Sequence, residues 1–238
     1  MKSRARDYKR RARIMLDGHW STAACLMLLL AAYSWSASSL SAPLLRQDKW
    51  LPLLTGGAIL LILVMIKGLL KGGVSRFFLA VSRNEKAGIG LLFSCFKLLP
   101  DRFLILEFIF SLLTVAYTLP PLYIWLTGAF NKKCLVLLIL WAVFGSAIYL
   151  RIRLSFLFSR LILADEPGTG VLESLKRSSE MTNGCKWSLF LLFLSFTGYY
   201  LLSALSLFLG ALWVNAYVED TKTLIYLELA GSVKTEPE

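Results

Sequence analysis

Histidine, cysteine and acidic residues are scarce in this sequence. The 238 residues include one histidine, four cysteines and 15 acidic residues. His19 has no carboxylate at a helical spacing that would orient it, so a general base or an activated nucleophile is not indicated. The cysteines are widely separated and form no C-x-x-C pair, which argues against zinc and haem sites. We therefore expect no metal, no cofactor and no enzymatic activity.

Basic residues outnumber acidic ones, and they are unevenly distributed. The formal net charge is +11, and 19 of the 26 Lys and Arg residues lie in residues 1–19, 71–102 and 151–186. Six lie in residues 43–50, 128–133 and 215–238. These segments flank apolar runs, as the positive-inside rule describes for membrane proteins. A nucleic-acid-binding domain would instead carry a basic face on a soluble fold. We predict no nucleic-acid partner and a cytoplasmic N-terminus.

Long apolar runs make up most of the chain, which is 57% hydrophobic and 17% charged, with a mean hydropathy of +0.64. About 20 apolar residues cross a bilayer. The runs therefore predict spans at about 20–42, 50–70, 103–127, 134–155 and 187–214. The prediction is an all-α, polytopic integral membrane bundle of about five transmembrane helices plus amphipathic inner-face helices.

The segments between the spans complete the predicted organisation. They are a basic cytoplasmic segment at 1–19, inner connectors at 71–102 and 156–186 within a membrane domain at 20–218, and a polar C-terminal tail at 219–238. We expect Lys71, Gly72 and Gly73 to end the second span, because paired glycines weaken a helix.

Two of the apolar runs allow a second interpretation. The run at 20–42 follows a basic segment and could be a cleaved signal peptide, although the later spans favour a first span. The run at 187–218 has 32 residues without a charge. It would measure about 48 Å as one helix, longer than one span and shorter than two. We predict one tilted or broken helix, with Gly198 and Gly210 as the breaks; a re-entrant hairpin is the alternative.

Two further features also leave alternatives open. Residues 1–13 form either a short basic helix on an anionic inner leaflet or a flexible flank that only sets the topology. The two inner connectors resemble each other around the G-x-G segments that begin at Gly88 and Gly168. They indicate either a parallel structural repeat or a chance similarity between apolar sequences.

The third apolar run contains the weak candidates for an intramembrane site, Glu107, Pro120 and Pro121. An ionisable group inside a membrane is a functional candidate by default. Because Arg102 is near in sequence, we expect a paired, partly hydrated Glu107. The two prolines each remove an intrahelical hydrogen bond, and we expect them to kink or break the helix.

A set of residues in the second half of the chain has no evident catalytic role but forms a pattern. These residues are Asp165, Pro167, Ser178, Met181, Gly184, Lys186, Phe190, Ser195, Phe196 and Gly198. The pattern resembles a bacterial family of polytopic membrane proteins catalogued as domain of unknown function family 975. The segments Ala12-Arg13-x-x-Leu16-x-Gly18-x-Trp20 and Gly73-x-x-Arg76-Phe77 also fit, so the resemblance extends from about Ala12 to Leu229.

The sequence departs from the family pattern at two places. Tyr199 stands where Trp is usual, and Asn215-Ala216-Tyr217 stands where a Pro-Tyr pair commonly closes the last span. The resemblance implies a bacterial cytoplasmic membrane and a helical fold, and it transfers no catalytic residue.

Two functions remain as expectations. The first is a non-enzymatic membrane protein that acts through its inner face, on anionic inner-leaflet lipid or on a protein partner. The second is a small transporter or permease-associated subunit, for which Glu107 with Pro120 and Pro121 is the candidate set.

Overall fold

The computed structural model describes residues 2–45, 50–98, 100–127, 132–206 and 209–231, and every element in this part of the chain is helical. The helices of the first half are α1 Lys2–Met15, α2 Trp20–Leu45, α3 Trp50–Ser82, a 3₁₀ helix Ile89–Phe93, α4 Ser94–Leu98 and α5 Pro100–Thr127. Those of the second half are α6 Lys132–Leu140, a π-helix Trp141–Gly145, α7 Ser146–Ser155, α8 Ser159–Asp165, α9 Val171–Thr182, α10 Lys186–Leu194, α11 Thr197–Leu205 and α12 Gly210–Leu229. The all-α prediction is confirmed.

Five helical segments are long and apolar enough to cross a membrane, judged by length and composition. They are Trp20–Leu40, Thr55–Ser82, Pro100–Ile124, Cys134–Asp165 and Lys186–Ala204. This number agrees with the five predicted spans. An uninterrupted apolar run of about 20 residues favours a helix that can cross a membrane.

The second segment does not end where we predicted. We expected Lys71, Gly72 and Gly73 to close it, but α3 continues as helix to Ser82. The glycines serve a different purpose, because a Cβ atom at Gly73 would lie 2.0 Å from the carbonyl oxygen of Leu92. Glycine here permits the 3₁₀ helix to lie directly against α3, which is how small residues act in closely packed helix pairs.

The prolines of α5 do not break it either. Pro120 and Pro121 lie inside a helix that runs to Thr127. The fourth segment, in contrast, is interrupted by a π-helical turn at Trp141–Gly145, which is followed by α7. A second interruption, between Ser155 and Ser159, separates α7 from α8.

The last apolar run reverses direction, as the hairpin alternative requires. We predicted one broken helix at 187–214 and a polar tail from 219, but α10, α11 and α12 occupy this region, and α12 packs back against α11. The breaks fall at Ser195 and Phe196 and before Gly210. The tail prediction therefore fails for residues 219–229, which belong to α12; residues 232–238 lie outside the described part of the chain.

Several helices that are far apart in the sequence meet at one end of the bundle. We call it the basic end: α1, the 3₁₀ helix, α9, the last turns of α3 and α8 and the second half of α12 lie there. Ser82 of α3 donates to Asp220 of α12 at 3.4 Å, and Tyr226 of α12 donates to Asp165 of α8 at 3.0 Å. The last turns of α12 therefore lie at the same end of the bundle as the ends of α3 and α8.

The buried core is also concentrated toward the basic end. Its largest fully buried side chains are Tyr226, Phe77, Phe78, Phe103, Phe158, Phe196, Leu16, Leu26, Leu92, Leu106, Leu161 and Ile162. They come from α2, α3, the 3₁₀ helix, α5, α8 and α12 and from the short segments that follow α1, α7 and α10. The two connectors that resemble each other in sequence differ in structure, because one forms a 3₁₀ helix with α4 and the other forms α9. The structural repeat stays a prediction.

Candidate polar site at the basic end

A buried carboxylate lies where α3, α5 and α8 meet. Glu107 is 6% exposed, and its Oε1 atom accepts a hydrogen bond from Lys71 Nζ at 3.1 Å. Its Oε2 atom accepts from Arg160 Nη2 at 2.7 Å. Both carboxylate oxygens are therefore bound to cations, which is the arrangement that a buried charge requires.

Glycines in α3 create this contact. A Cβ atom at Gly68 would lie 2.6 Å from Cβ of Glu107, and one at Gly72 would lie 2.7 Å from the ring of Phe103. Gly68 and Gly72 are four residues apart, as are Phe103 and Glu107, so each pair lies on one face of its helix. This G-x-x-x-G pattern was present in the sequence, and it is the signal that could have predicted the α3–α5 contact.

The prediction that Glu107 is paired agrees with the structure, but its partner differs. Arg102 donates instead to the carbonyl oxygens of Pro167 and, at 2.7 Å, Thr169. Pro120 and Pro121 lie about 20 Å further along α5, at 1.5 Å per residue. The structure thus brings Glu107 together with Lys71 and Arg160 and leaves the prolines apart from it.

Asp165 forms a second polar centre near the ends of α3, α8 and α12. Its carboxylate pairs with Arg83 at 2.7 Å and accepts a hydrogen bond from the Tyr226 hydroxyl. Burial, and then the nearby Asp165 carboxylate, raise the pKa of Tyr226 above its usual range, so the phenol stays protonated and donates. Asp165 is the last residue of α8, and its contacts link α3, α8 and α12.

The neighbouring family-pattern residues support the connector. Ser178 is fully buried, donates to the Ser155 carbonyl at 2.9 Å and accepts from the Phe158 backbone N–H at 3.1 Å. It thereby binds backbone groups left free by the break between α7 and α8. Gly184 has φ of +82°, a conformation that favours glycine, and it links α9 to α10.

The other pattern residues of this connector have simpler surroundings. The Pro167 carbonyl accepts from Arg102, Met181 packs at the edge of the core, and Lys186 begins α10. Phe190 lies 5.3 Å from Trp187, ring centre to ring centre. Gly198 has open space around it, and the helix break that we expected there falls at Ser195 and Phe196 instead.

The remaining pattern residues hold α1 in place. Lys9 Nζ donates to the Ser195 carbonyl at 3.3 Å and lies 4.2 Å from the centre of the Phe196 ring. The Tyr217 hydroxyl donates to the Lys9 carbonyl at 2.8 Å. Residues 1–13, for which we left a helix or a flexible flank open, are helical over Lys2–Met15 where described, and Ala12 is fully buried.

A buried acid in α12 was missed because we assigned it to a polar tail. Asp220 is fully buried, and its Oδ2 atom has no hydrogen-bond partner among the described residues. Burial raises the pKa of Asp220 to about 8, so the carboxyl is mostly protonated at neutral pH. Residues 220–227 of α12 are all buried, and this burial could not be predicted without knowing that several helices surround α12.

Comparison with known families decides the relationship. The family described as "Protein of unknown function (DUF975)" matches residues 1–232. The chain belongs to the DUF975 family. A search of curated proteins and a search of solved structures each found no match. The resemblance inferred from the sequence is therefore confirmed, and it adds no biochemical role to the DUF975 chain.

Within the part of the chain that the structure describes, no group of three or more His, Cys, Asp or Glu side chains could hold a metal ion. The ionisable groups at the basic end instead form pairs with each other: Lys71 and Arg160 with Glu107, Arg83 with Asp165, Arg177 with Glu166 and Lys222 with Glu219. Apart from Lys222 and Glu219, which both lie in α12, these pairs join different segments of the DUF975 chain.

Proposed function

We propose that this protein is an integral protein of the bacterial cytoplasmic membrane, with its basic end at the cytoplasmic face, and that it acts without catalysis by binding anionic inner-leaflet lipid. A protein partner at the same face would use the same surface. The observation that carries the proposal is the geometry of α1, a basic helix fixed to the bundle by one face.

The two faces of α1 differ in character. Ala12 and Leu16 are fully buried, whereas the basic side chains Arg6, Arg10, Arg11 and Arg13 are exposed. Packing on α12 therefore holds these guanidinium groups outward, next to the first apolar segment. Each basic residue near an anionic membrane surface contributes about 1 kcal/mol of attraction.

Exposed basic residues also lie outside α1. Lys86, Lys97, Arg151 and Lys176 each belong to a different segment, so they form no single basic helix face like that of α1. The cytoplasmic leaflet carries the anionic lipids to which juxtamembrane basic clusters bind. The positive charge of the chain thus lies where lipid phosphates would meet it.

A small transporter is the second candidate, and the burial of Glu107 favours it. Intramembrane carboxylates occur along ion pathways. Lys71 and Arg160, however, already neutralise both oxygens of Glu107, and a structural pairing accounts for the burial.

Lipid enrichment tests the first candidate. The protein would be reconstituted with equal parts of phosphatidylglycerol and phosphatidylcholine, re-extracted in mild detergent, and its retained lipids counted by mass spectrometry. We expect phosphatidylglycerol to be enriched, and we expect the α1 variant Arg6→Gln/Arg10→Gln/Arg11→Gln/Arg13→Gln to lose most of that enrichment.

A charge-matched control is available in the same chain. Replacing Lys86, Lys97, Arg151 and Lys176 by glutamine removes the same charge and leaves α1 intact. Equal losses in the two variants, or no enrichment in the native protein, would contradict the proposal. In sealed proteoliposomes, a solute flux that Glu107→Gln abolishes would favour the transporter instead.

A further inference from the structure

Arginine side chains are stacked on one aromatic ring beside the Glu107 pair. The guanidinium carbon of Arg160 lies 5.6 Å from the centre of the Phe110 ring, and that of Arg153 lies 4.9 Å from it. Arg153 also lies 6.0 Å from the Tyr149 ring. Such cation–π contacts fix the position of a guanidinium group without neutralising its charge.

The local charges do not balance. Lys71 and Arg160 share Glu107, and the carboxylate of Glu219 also lies near enough to attract both cations. Arg153 forms no ion pair with a carboxylate among the described residues. Arg153 thus carries a positive charge that no described carboxylate neutralises by an ion pair, and at the edge of a bilayer such a charge favours a bound anion.

An apolar cavity of about 450 Å³ is lined by Tyr149, the residue whose ring lies 6.0 Å from Arg153. Ile152 and Tyr149 line its near side, and Leu113, Ala116 and Trp141 line the part further along α5. The cavity exists because the fourth apolar segment stands away from α5, with the Tyr117 ring bridging to Tyr149 at 4.8 Å and to Trp141 at 6.3 Å. A π-helical turn, which often marks a functional position in a helix, forms one wall.

The depth of Arg153 suits a lipid headgroup. Helix α5 has 28 residues and is therefore about 42 Å long, which exceeds a hydrocarbon core of about 30 Å. Its charged residues Asp101, Arg102 and Glu107 all lie in the first third, so the surplus length falls at the basic end. Phe110 and the guanidinium of Arg153 then lie near the boundary between headgroups and hydrocarbon.

We propose that the cleft between α5 and α7 binds one anionic phospholipid of the inner leaflet, with its phosphate at Arg153 and an acyl chain in the apolar cavity. The inference rests on the proposed function, because it takes anionic inner-leaflet lipid as the ligand class. It differs from the proposed function because it assigns the lipid to a single site between α5 and α7, away from α1.

Native mass spectrometry of the delipidated protein in mild detergent tests the site. Phosphatidylglycerol and phosphatidylcholine of the same chain length would be titrated separately, and the first bound lipid quantified. We expect the native protein to retain phosphatidylglycerol preferentially, and Arg153→Gln to bind it about fivefold more weakly, as removal of about 1 kcal/mol of attraction implies.

Matched variants separate the charge from the cavity. Arg151→Gln removes an exposed charge two residues away and should leave the first binding event unchanged. Ala116→Phe adds a ring to the cavity wall without changing charge and should also weaken phosphatidylglycerol binding. Inorganic phosphate in excess should not displace the lipid, because it cannot fill the cavity.

Several outcomes would overturn the site. Equal effects of Arg153→Gln and Arg151→Gln would show that only overall charge matters, and displacement by inorganic phosphate would show a plain anion site. If Arg153→Gln fails to fold, an unchanged affinity in Ala116→Phe still refutes it. The preference for phosphatidylglycerol could survive Arg153→Gln but be lost in the α1 variant. That result would retain the proposed function and reject this site. If the native protein shows no preference, both are rejected.

Discussion

The same apolar segment behaves differently at its two ends. In Cys134–Asp165, Ile148 of α7 is 61% exposed, whereas Ile162 of α8 is fully buried. Near Ile148 the segment stands away from α5, and near Ile162 it is enclosed by α3, α5 and α9. Apolar composition alone therefore does not say which residues pack against protein. The basic end supplies ion pairs, glycine contacts and buried hydroxyl groups, whereas the remote part leaves apolar side chains such as Ile148 exposed.

The largest expected effect comes from removing the charge that joins three helices at the basic end. Glu107→Ala leaves Lys71 and Arg160 without their carboxylate, and breaking a buried pair in this way costs about 3–5 kcal/mol. We expect a correspondingly lower midpoint of thermal unfolding in non-ionic detergent. Glu180→Gln, at an exposed position of α9, should change stability by less than about 0.5 kcal/mol. Similar stabilities for the two variants would contradict a role of the basic end in holding the bundle together.

The pH dependence of stability tests the burial of Asp220. Its pKa rises from an ordinary value of 3.8 to about 8 in the folded protein, so between these values the folded state keeps a proton that the unfolded state has lost. Stability should therefore fall as pH increases through this window, by up to about 1.4 kcal/mol per pH unit, and level off above it. Asp220→Asn should be flatter over the same range in chemical denaturation. A variant with the native slope would show that Asp220 is not the source.

Two glycines of α3 sharpen the comparison within one helix. Gly73→Ala forces a Cβ atom onto the Leu92 backbone and should cost about 1–3 kcal/mol, the range for overpacking. Gly57→Ala, in the apolar part of the same helix, meets open space and should be neutral or slightly stabilising, because alanine favours helix. Unfolding midpoints of both variants provide the measurement. Equal destabilisation would mean that α3 and the 3₁₀ helix are not in close contact.

The smallest expected difference concerns two tyrosine hydroxyl groups. Tyr226→Phe removes the hydrogen bond to Asp165 in a buried site and should cost about 1–2 kcal/mol. Tyr149→Phe removes an exposed 3.3 Å contact with Thr114 and should cost about 0.5 kcal/mol or less. The same unfolding assay measures both, and the reverse order of the two costs would contradict the division of the molecule into a packed end and a part with exposed apolar side chains.

The sequence predicted the helical class, the number of apolar segments and the family, because these depend on composition and on short patterns. It predicted that Glu107 is paired, but not with Lys71 and Arg160, because those partners are 36 and 53 residues away. It took Gly72 and Gly73 as a helix end, because local propensity cannot show that another element packs on them. For the same reason the burial of α12 was missed.

The most direct test of the central claim is the membrane side of the basic end. Single cysteines would be introduced into a cysteine-free variant as Arg6→Cys, Asn183→Cys, Leu209→Cys and Gly231→Cys, and labelled with a membrane-impermeant maleimide in sealed right-side-out vesicles and after permeabilisation. The account predicts that positions 6, 183 and 231 react only after permeabilisation. Position 209, before α12, should react in sealed vesicles. Reaction of position 231 or 183 in sealed vesicles would place part of the basic end on the opposite side and contradict it.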